Sequence, residues 1–362
     1  MRIVLVLLVV SGCSSASVEP SPSEASSIPL LPDGFTLGIS FYGGGTVRDL
    51  DEEPRATLDA GIDDGIGGWT YYVEWADLEP EPGRYTLDEF TRSLDDAQAA
   101  GLRPFVNVTV GDSEGFSLPG GVPDGDALRD PDVIARFGRL LDQVVPRLAS
   151  RGGFVLALGN EMGEYLDVDR AARAAYATFV DAARQRVHEI EPRLAVAVTL
   201  TNGDVRNRSV TYRALRPVVD VVALNHSPIA PDFFVLDLDD VRRDLRDVLD
   251  AHDDGPVVIQ ELTCPNAESM GASDAWQAGC FRELFAEIEA TPQVRFASVF
   301  TYTDFDEETC RLFTDALFGS ELDDLPRDLA QRLADYTCGL GVVDVDGTPS
   351  PAWEVITDVT QR

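Results

Sequence analysis

Short apolar runs alternate with stretches of helical period along most of this chain. Eight runs read as strands: 35–43, 67–75, 102–110, 154–161, 194–201, 219–226, 256–262 and 294–302. Each is rich in β-branched, aromatic or small apolar residues. Between them, apolar positions recur three and four residues apart. One such face is Val133, Phe137, Leu140, Leu141, Val144 and Leu148; another is Val168, Ala172, Tyr176, Phe179, Ala183, Val187 and Ile190. Asp132 and Asp167 stand where helix starters are expected.

Strand–helix alternation predicts an α/β fold with a parallel sheet. Eight units predict a closed (β/α)8 TIM barrel over residues 31–362, a single domain. An open doubly wound sheet would carry a Gly-x-Gly-x-x-Gly turn after its first strand, and "YGGGTVRD" lacks that spacing. In a barrel, chemistry gathers at the C-terminal ends of the strands.

The N-terminus reads as an address. Residues 1–12 carry one arginine, an apolar stretch from Ile3 to Val10, and small residues before Cys13. That is the layout of a secretory signal peptide. Val10-Ser11-Gly12-Cys13 resembles the bacterial lipobox, which implies cleavage before Cys13 and a lipid on its sulfur. Residues 13–30 are mostly serine, proline and glutamate with little to bury, a flexible tether. The expected location is therefore the bacterial cell envelope, exported and lipid-anchored, facing periplasm or exterior. The membrane enters only through that anchor.

Four cysteines remain: Cys264, Cys280, Cys310 and Cys338. In an exported chain an even set suggests two disulfides, with three possible pairings; proximity favours Cys264–Cys280 and Cys310–Cys338. Zinc is disfavoured by the wide spacings and the lack of accompanying histidines. The charge is extreme: 29 basic against 63 acidic residues gives −34, and every basic residue is arginine. Such a surface repels nucleic acid and anionic headgroups; adaptation to high salt is one explanation of the acidity, and a GC-rich, arginine-preferring genome is the alternative for the missing lysine.

Several polar residues fall at the predicted strand tips. The fourth strand ends on Asn160 and Glu161, and the seventh on Glu261 in "VVIQELTCPN". The sixth ends on Asn225 and His226, the second on Glu74 and Trp75, the third on Asn107 and Asp112, the eighth on Tyr302 and Asp304. Glutamates ending strands four and seven face each other across a barrel mouth. Cleavage of a glycosidic bond with retention needs such a pair, roughly 5–5.5 Å apart, one as acid/base and one as nucleophile.

This arrangement resembles the clan A glycoside hydrolases, the 4/7 superfamily of (β/α)8 barrels. "WADLEPEPGRYTLDEF" (75–90) is similar to the stretch after their second strand, and "GLGVVDVDGTPSPAWEVI" (339–356) to their usual ending. The resemblance spans most of residues 35–356. It implies that Glu161 protonates the departing oxygen and later activates water, that Glu261 forms the covalent intermediate, and that Asn160 bonds the neighbouring sugar hydroxyl. The arginine many members carry on the second strand and the tryptophan ending their eighth are absent. His226 stands near where an aromatic hydroxyl often supports the nucleophile.

Sugars stack their apolar faces on flat aromatics. Tyr42, Trp69, Tyr71, Tyr72, Trp75, Phe233 and Tyr302 lie on or near strand tips, with Trp75 and Tyr302 the leading choices for a platform. Alternate strand residues must point at the helices instead. A metal-dependent hydrolase would want clustered histidines, and only His188, His226 and His252 exist. "DFDEE" (304–308) and "DVDG" (344–347) lack EF-hand spacing, so no cofactor or metal is expected. The sequence thus points to a retaining β-glycosidase acting on an oligo- or polysaccharide. The alternative is a non-catalytic surface lipoprotein binding glycan or protein on a hydrolase-like barrel. Oligomeric state, sugar identity and linkage leave no trace in the sequence.

Overall fold

The computed structural model describes residues 31–42, 45–113, 115–252, 255–318 and 325–361. The expected signal peptide (1–12) and the lipidated Cys13 with its tether (13–30) lie outside the described residues. Eight parallel strands close into a barrel in the order of the chain. They are β1 (Thr36–Ser40), β2 (Gly68–Glu74), β3 (Arg103–Thr109), β4 (Val155–Asn160), β5 (Ala195–Thr201), β6 (Val222–His226), β7 (Val257–Leu262) and β8 (Val294–Val299). All eight fall within the predicted runs. β6 and β8 are each three residues shorter than the apolar pattern suggests, because Val219, Val221, Thr301 and Tyr302 are buried without continuing the ladder.

Strand alternation divides the core in two. Phe105, Phe154, Val155, Ala157, Ala195, Ala197, Ala223, Val258 and Phe296 fill the lumen, and Leu31 packs against them from the floor. The other strand faces and the surrounding helices form a second, larger apolar shell. The lumen is packed rather than hollow: Phe296 lies 5.8 Å from Phe105 and 5.1 Å from Phe154, centroid to centroid. Gly38 and Gly68 make room for it. A Cβ at either would stand 2.6 or 2.4 Å from the Phe296 ring, so any side chain there would displace the floor of the barrel.

The helices form where the period predicts, with caps two residues away from the expected ones. Asp130, not Asp132, caps the helix Pro131–Ala149, accepting from the amide of Asp132. Asp169, not Asp167, caps Arg170–Ile190 through the amides of Ala171 and Ala172. Asp167 instead accepts from the amide of Thr211. Val168, expected on the buried face, precedes this cap and is 88% exposed. A cap residue must sit outside the helix with its side chain folded back on the first turn, and each helix begins one residue after the aspartate able to do so.

Two disulfides are present, Cys264–Cys280 and Cys310–Cys338. The first ties the loop after β7 to the helix Asp274–Ala290. The second joins two helices that follow β8, Glu307–Phe318 and Arg327–Cys338. "DFDEE" (304–308) runs into the start of the first of these helices, with Asp306 accepting from the amide of Thr309. The chain ends as the sequence suggests: Val343 and Pro349 pair around a turn, and Ser350 caps the last helix, Pro351–Thr360. No helix among the described residues is long and apolar enough to cross a membrane.

Candidate active site

Glu161 and Glu261 are brought to the same end of the barrel, and each gets there through a break in strand alternation. On β7, Val258 faces the lumen and Ile259 the helices, so Gln260 should face in and Glu261 out. Pairing shows one extra residue in β7 against both neighbours. Leu224 and Asn225 of β6 oppose Ile259 and Glu261, while Ala297 and Val299 of β8 oppose Ile259 and Leu262. This bulge turns Glu261 inward beside Gln260.

β4 carries a matching irregularity. Ala157 and Asn160 oppose Ala197 and Thr199 of β5, three steps against two. The extra step falls at Leu158–Gly159, and Gly159 has φ 113°. A Cβ there would lie 2.4 Å from the Tyr176 hydroxyl, so only glycine fits. Asn107 of β3 holds the kink by giving its Nδ2 to the Gly159 carbonyl at 3.1 Å and accepting the Gly159 amide at 3.1 Å. Glu161 then takes a left-handed backbone (φ 54°), with its amide donating to the Thr199 carbonyl at 2.9 Å. A non-glycine residue in that region carries strain of roughly 1–2 kcal/mol, which the surrounding bonds sustain.

Beneath the carboxylates lies a closed set of amides centred on Gln260, which is fully buried. Its Oε1 accepts from Asn107 Nδ2 (2.8 Å) and Thr199 Oγ1 (2.7 Å). Its Nε2 donates to Asn160 Oδ1 (2.8 Å) and Asn225 Oδ1 (3.3 Å). Asn225 Nδ2 also donates to Asn160 Oδ1 at 3.2 Å. With its oxygen engaged twice, Asn160 has its Nδ2 left to serve as a donor.

Glu261 Oε1 accepts a 2.7 Å hydrogen bond from the Tyr72 hydroxyl on β2. Burial pushes the Glu261 carboxyl well above the ordinary carboxylate range, and the nearby charge of Glu161 adds to the rise. The hydrogen bond from Tyr72 and the nearby amides of Gln260 and Asn225 oppose it by stabilising the anion. Burial and the Glu161 charge outweigh that opposition, and the proton losses of the two carboxylates belong to the pair rather than to either residue. Tyr72 itself is pushed well above its usual range, first by burial and then by Glu261. It therefore remains a donor.

Asn160, Asn225 and Tyr42 also stand at this end. Tyr42 packs on Phe300 and Phe305, at 4.7 and 4.3 Å between centroids, and donates to the Thr337 carbonyl. Four residues expected around the sugar lie elsewhere. Trp75 is buried between β2 and the helices against Phe137 and Phe179, giving its Nε1 to Glu79 at 3.0 Å. Trp69 faces the helix shell, stacked on Tyr71 at 4.7 Å. Tyr302 is enclosed by Phe41 and Trp353, its hydroxyl donating to the Pro54 carbonyl at 2.6 Å. His226 is buried with Nε2 3.6 Å from Asp244 Oδ2, and burial, with the Arg206 charge, lowers its pKa to about 3, so it is neutral. The reason is common to Trp69 and Tyr302: an aromatic near a strand tip is as useful for sealing helices to strands as for facing the mouth, and phase decides.

Sequence reasoning missed Gln260, Thr199 and Tyr336. Gln260 sits directly before Glu261, where alternation hides it. Tyr336 comes from the helix after β8, and its hydroxyl lies 2.6 Å from Ser227 Oγ. The only sequence signal for it is the Cys310–Cys338 bracket.

No family model and no curated protein matches the sequence. The fold does match solved structures. An exo-beta-1,4-mannosidase from Opitutaceae bacterium strain TAV5 is similar over 90% of this chain and 59% of its own, with TM-score 0.65 and 18% identity. A GH5_18 protein from Bifidobacterium longum subsp. longum, in complex with Manb1-4GlcNAc, is similar over 90% of this chain and 78% of its own (TM-score 0.66, 15% identity). A family 39 glycoside hydrolase from Bacteroides cellulosilyticus is similar over 92% and 64% (TM-score 0.62, 12% identity). The chain thus spans under two thirds of the length of two of these. At such identities the likeness speaks for the barrel fold.

Proposed function

We propose that the protein is a retaining β-glycosidase with Glu161 as acid/base and Glu261 as nucleophile. One observation carries the reading: two glutamates, each turned by a bulge, meet electrostatically at the C-terminal mouth of a closed barrel. In the first step the Glu261 carboxylate bonds to the anomeric carbon as the glycosidic bond breaks, and Glu161 gives its proton to the departing oxygen. In the second, Glu161 takes a proton from water, the water oxygen bonds to the same carbon, and the Glu261 ester bond breaks. Tyr72, Asn225 and Gln260 offset part of the cost of ionising the nucleophile, and the Tyr72 bond orients it. Asn160 offers an N–H donor to the sugar.

β-Mannosides are the first substrate class to try, since neighbours of the same fold are a β-1,4-mannosidase and proteins solved with Manb1-4GlcNAc. The test is a panel of β-glycans and aryl β-glycosides, repeated with Glu261→Ala. Turnover lost in the variant, with product NMR showing retained anomers, supports the reading. Inverted anomers overturn the mechanism. A wild type without turnover, and glycan affinity unchanged in Glu161→Gln, would make it a binding lipoprotein instead. We further propose export and lipid anchoring at Cys13, for which Cys13→Ala should abolish partition into detergent.

A further inference from the structure

The bulge that turns Glu261 inward also interrupts the β6–β7 ladder between Leu224 and Asn225, beside the site it serves. Past that break the ladder resumes at Asn225–Glu261 and His226–Leu262 and then ends, so the chain leaves both strands directly beside the site. Three hydroxyls stand there. Ser227 lies two residues beyond Asn225, and Thr263 two beyond Glu261. Ser227 Oγ is 2.5 Å from Thr263 Oγ1 and 2.6 Å from the Tyr336 hydroxyl, and Thr263 Oγ1 is 3.4 Å from the latter. Thr263 gives its hydroxyl proton to the His226 carbonyl at 3.3 Å, and its amide donates there too at 3.0 Å. Each hydroxyl has one proton, so the order follows: Thr263 donates to His226, Ser227 to Thr263, and Tyr336 to Ser227.

Tyr336 heads this chain from outside the barrel. It is two residues before Cys338, whose disulfide to Cys310 ties its helix to the preceding one. The next residue, Thr337, receives the Tyr42 hydroxyl, and Ser269 Oγ donates to Asp335 Oδ2 at 2.5 Å. Phe233 meets the Tyr336 ring edge-on at 5.7 Å. The helix end is thus fixed from several sides, which a mere surface appendage would not require.

We infer that Tyr336 is a positioning residue for Glu261 and Asn225, acting through Ser227 and Thr263 and held in place by the Cys310–Cys338 disulfide. The inference rests on the glycosidase reading above. Burial raises the Tyr336 hydroxyl to about 12, so it remains a donor across the working range. The helix Arg327–Cys338, which carries Tyr336, is then part of the catalytic apparatus.

The experiment compares kcat and KM for wild type, Tyr336→Phe, Ser227→Ala and the Cys310→Ser/Cys338→Ser pair on one aryl β-glycoside, with unfolding midpoints alongside. Small displacements of a reacting group are costly, so kcat should fall about tenfold or more in each, with KM within about twofold. Adding Tyr336→Phe to the cysteine pair should bring little further loss, because both cut one chain. Unchanged kcat in Tyr336→Phe, a rise in KM alone, or losses that multiply would overturn the proposal. Ser227→Ala removes the same contact without touching the helix, so it decides the matter if the cysteine variant unfolds. Wild type inert on every glycoside would instead sink the glycosidase reading, and this inference with it.

Discussion

Replacing Tyr72 by phenylalanine removes one hydroxyl from β2 and leaves the ring that fills the space. The lost bond is the 2.7 Å donation to Glu261 Oε1. A hydrogen bond to a charged acceptor contributes about 1.5–3 kcal/mol and one to a neutral acceptor about 0.5–1.5. The anionic form of Glu261 should therefore lose roughly 1–1.5 kcal/mol more than the protonated form. At about 1.4 kcal/mol per unit, the carboxyl rises by about one pH unit. Proton loss that leaves Glu261 charged sets the acid limb of the pH–rate profile, read as a property of the pair. That limb should move about one unit to higher pH, with kcat/KM roughly tenfold lower on the acid side and less changed on the plateau. The assay is kcat/KM on an aryl β-glycoside from pH 4 to 9. The alkaline limb should stay put, because Tyr72 titrates well above that range in the wild type. Superposable profiles, or an acid limb displaced downward, would refute the assignment of Tyr72 as a donor that favours the ionised nucleophile.

Three further outcomes follow from the same physics. Burial holds the Glu261 carboxyl above its ordinary range, so ionising it costs folded-state stability as pH rises through the usual carboxylate value toward the raised one. Glu261→Gln should thus melt higher than wild type, by a margin that grows from pH 4 to pH 8; a margin that shrinks with pH would contradict this. Glu79 is fully buried, ion-paired with the guanidinium of Arg136 (3.1 Å) and hydrogen-bonded by Trp75 Nε1 (3.0 Å) and the Gly83 amide (2.6 Å). Removing it strands a buried arginine, so Glu79→Ala should lose about 3–5 kcal/mol in denaturant unfolding, and a loss under about 1 kcal/mol would show the pair to be dispensable. Finally, a net charge of −34 repels itself in the compact state. Since molar salt shortens the screening length to about 3 Å, the melting temperature should climb between low and 1 M NaCl, and a flat response would remove the salt-adaptation reading.

Strand existence, number and order were legible from the amino-acid string because period and punctuation are local: a run of β-branched residues between turn formers needs no partner to be recognised. The two glutamates were legible for the same reason, as charges ending apolar runs. So was the cysteine pairing by proximity. Facing was not. Trp69, Tyr71 and Tyr72 are neighbours of similar chemistry, yet the first two seal helices and only the third reaches Glu261. Which one points inward depends on the barrel's closure, and a single extra residue reverses it. The bulges at Gly159 and Gln260, which aim Asn160 and Glu261, exist only as mismatches between paired strands. Tyr336 meets Ser227 across 109 residues of chain, a contact no local pattern can carry. Sequence fixes which residues are available at the mouth; register and packing, being relations between distant segments, decide which of them face it.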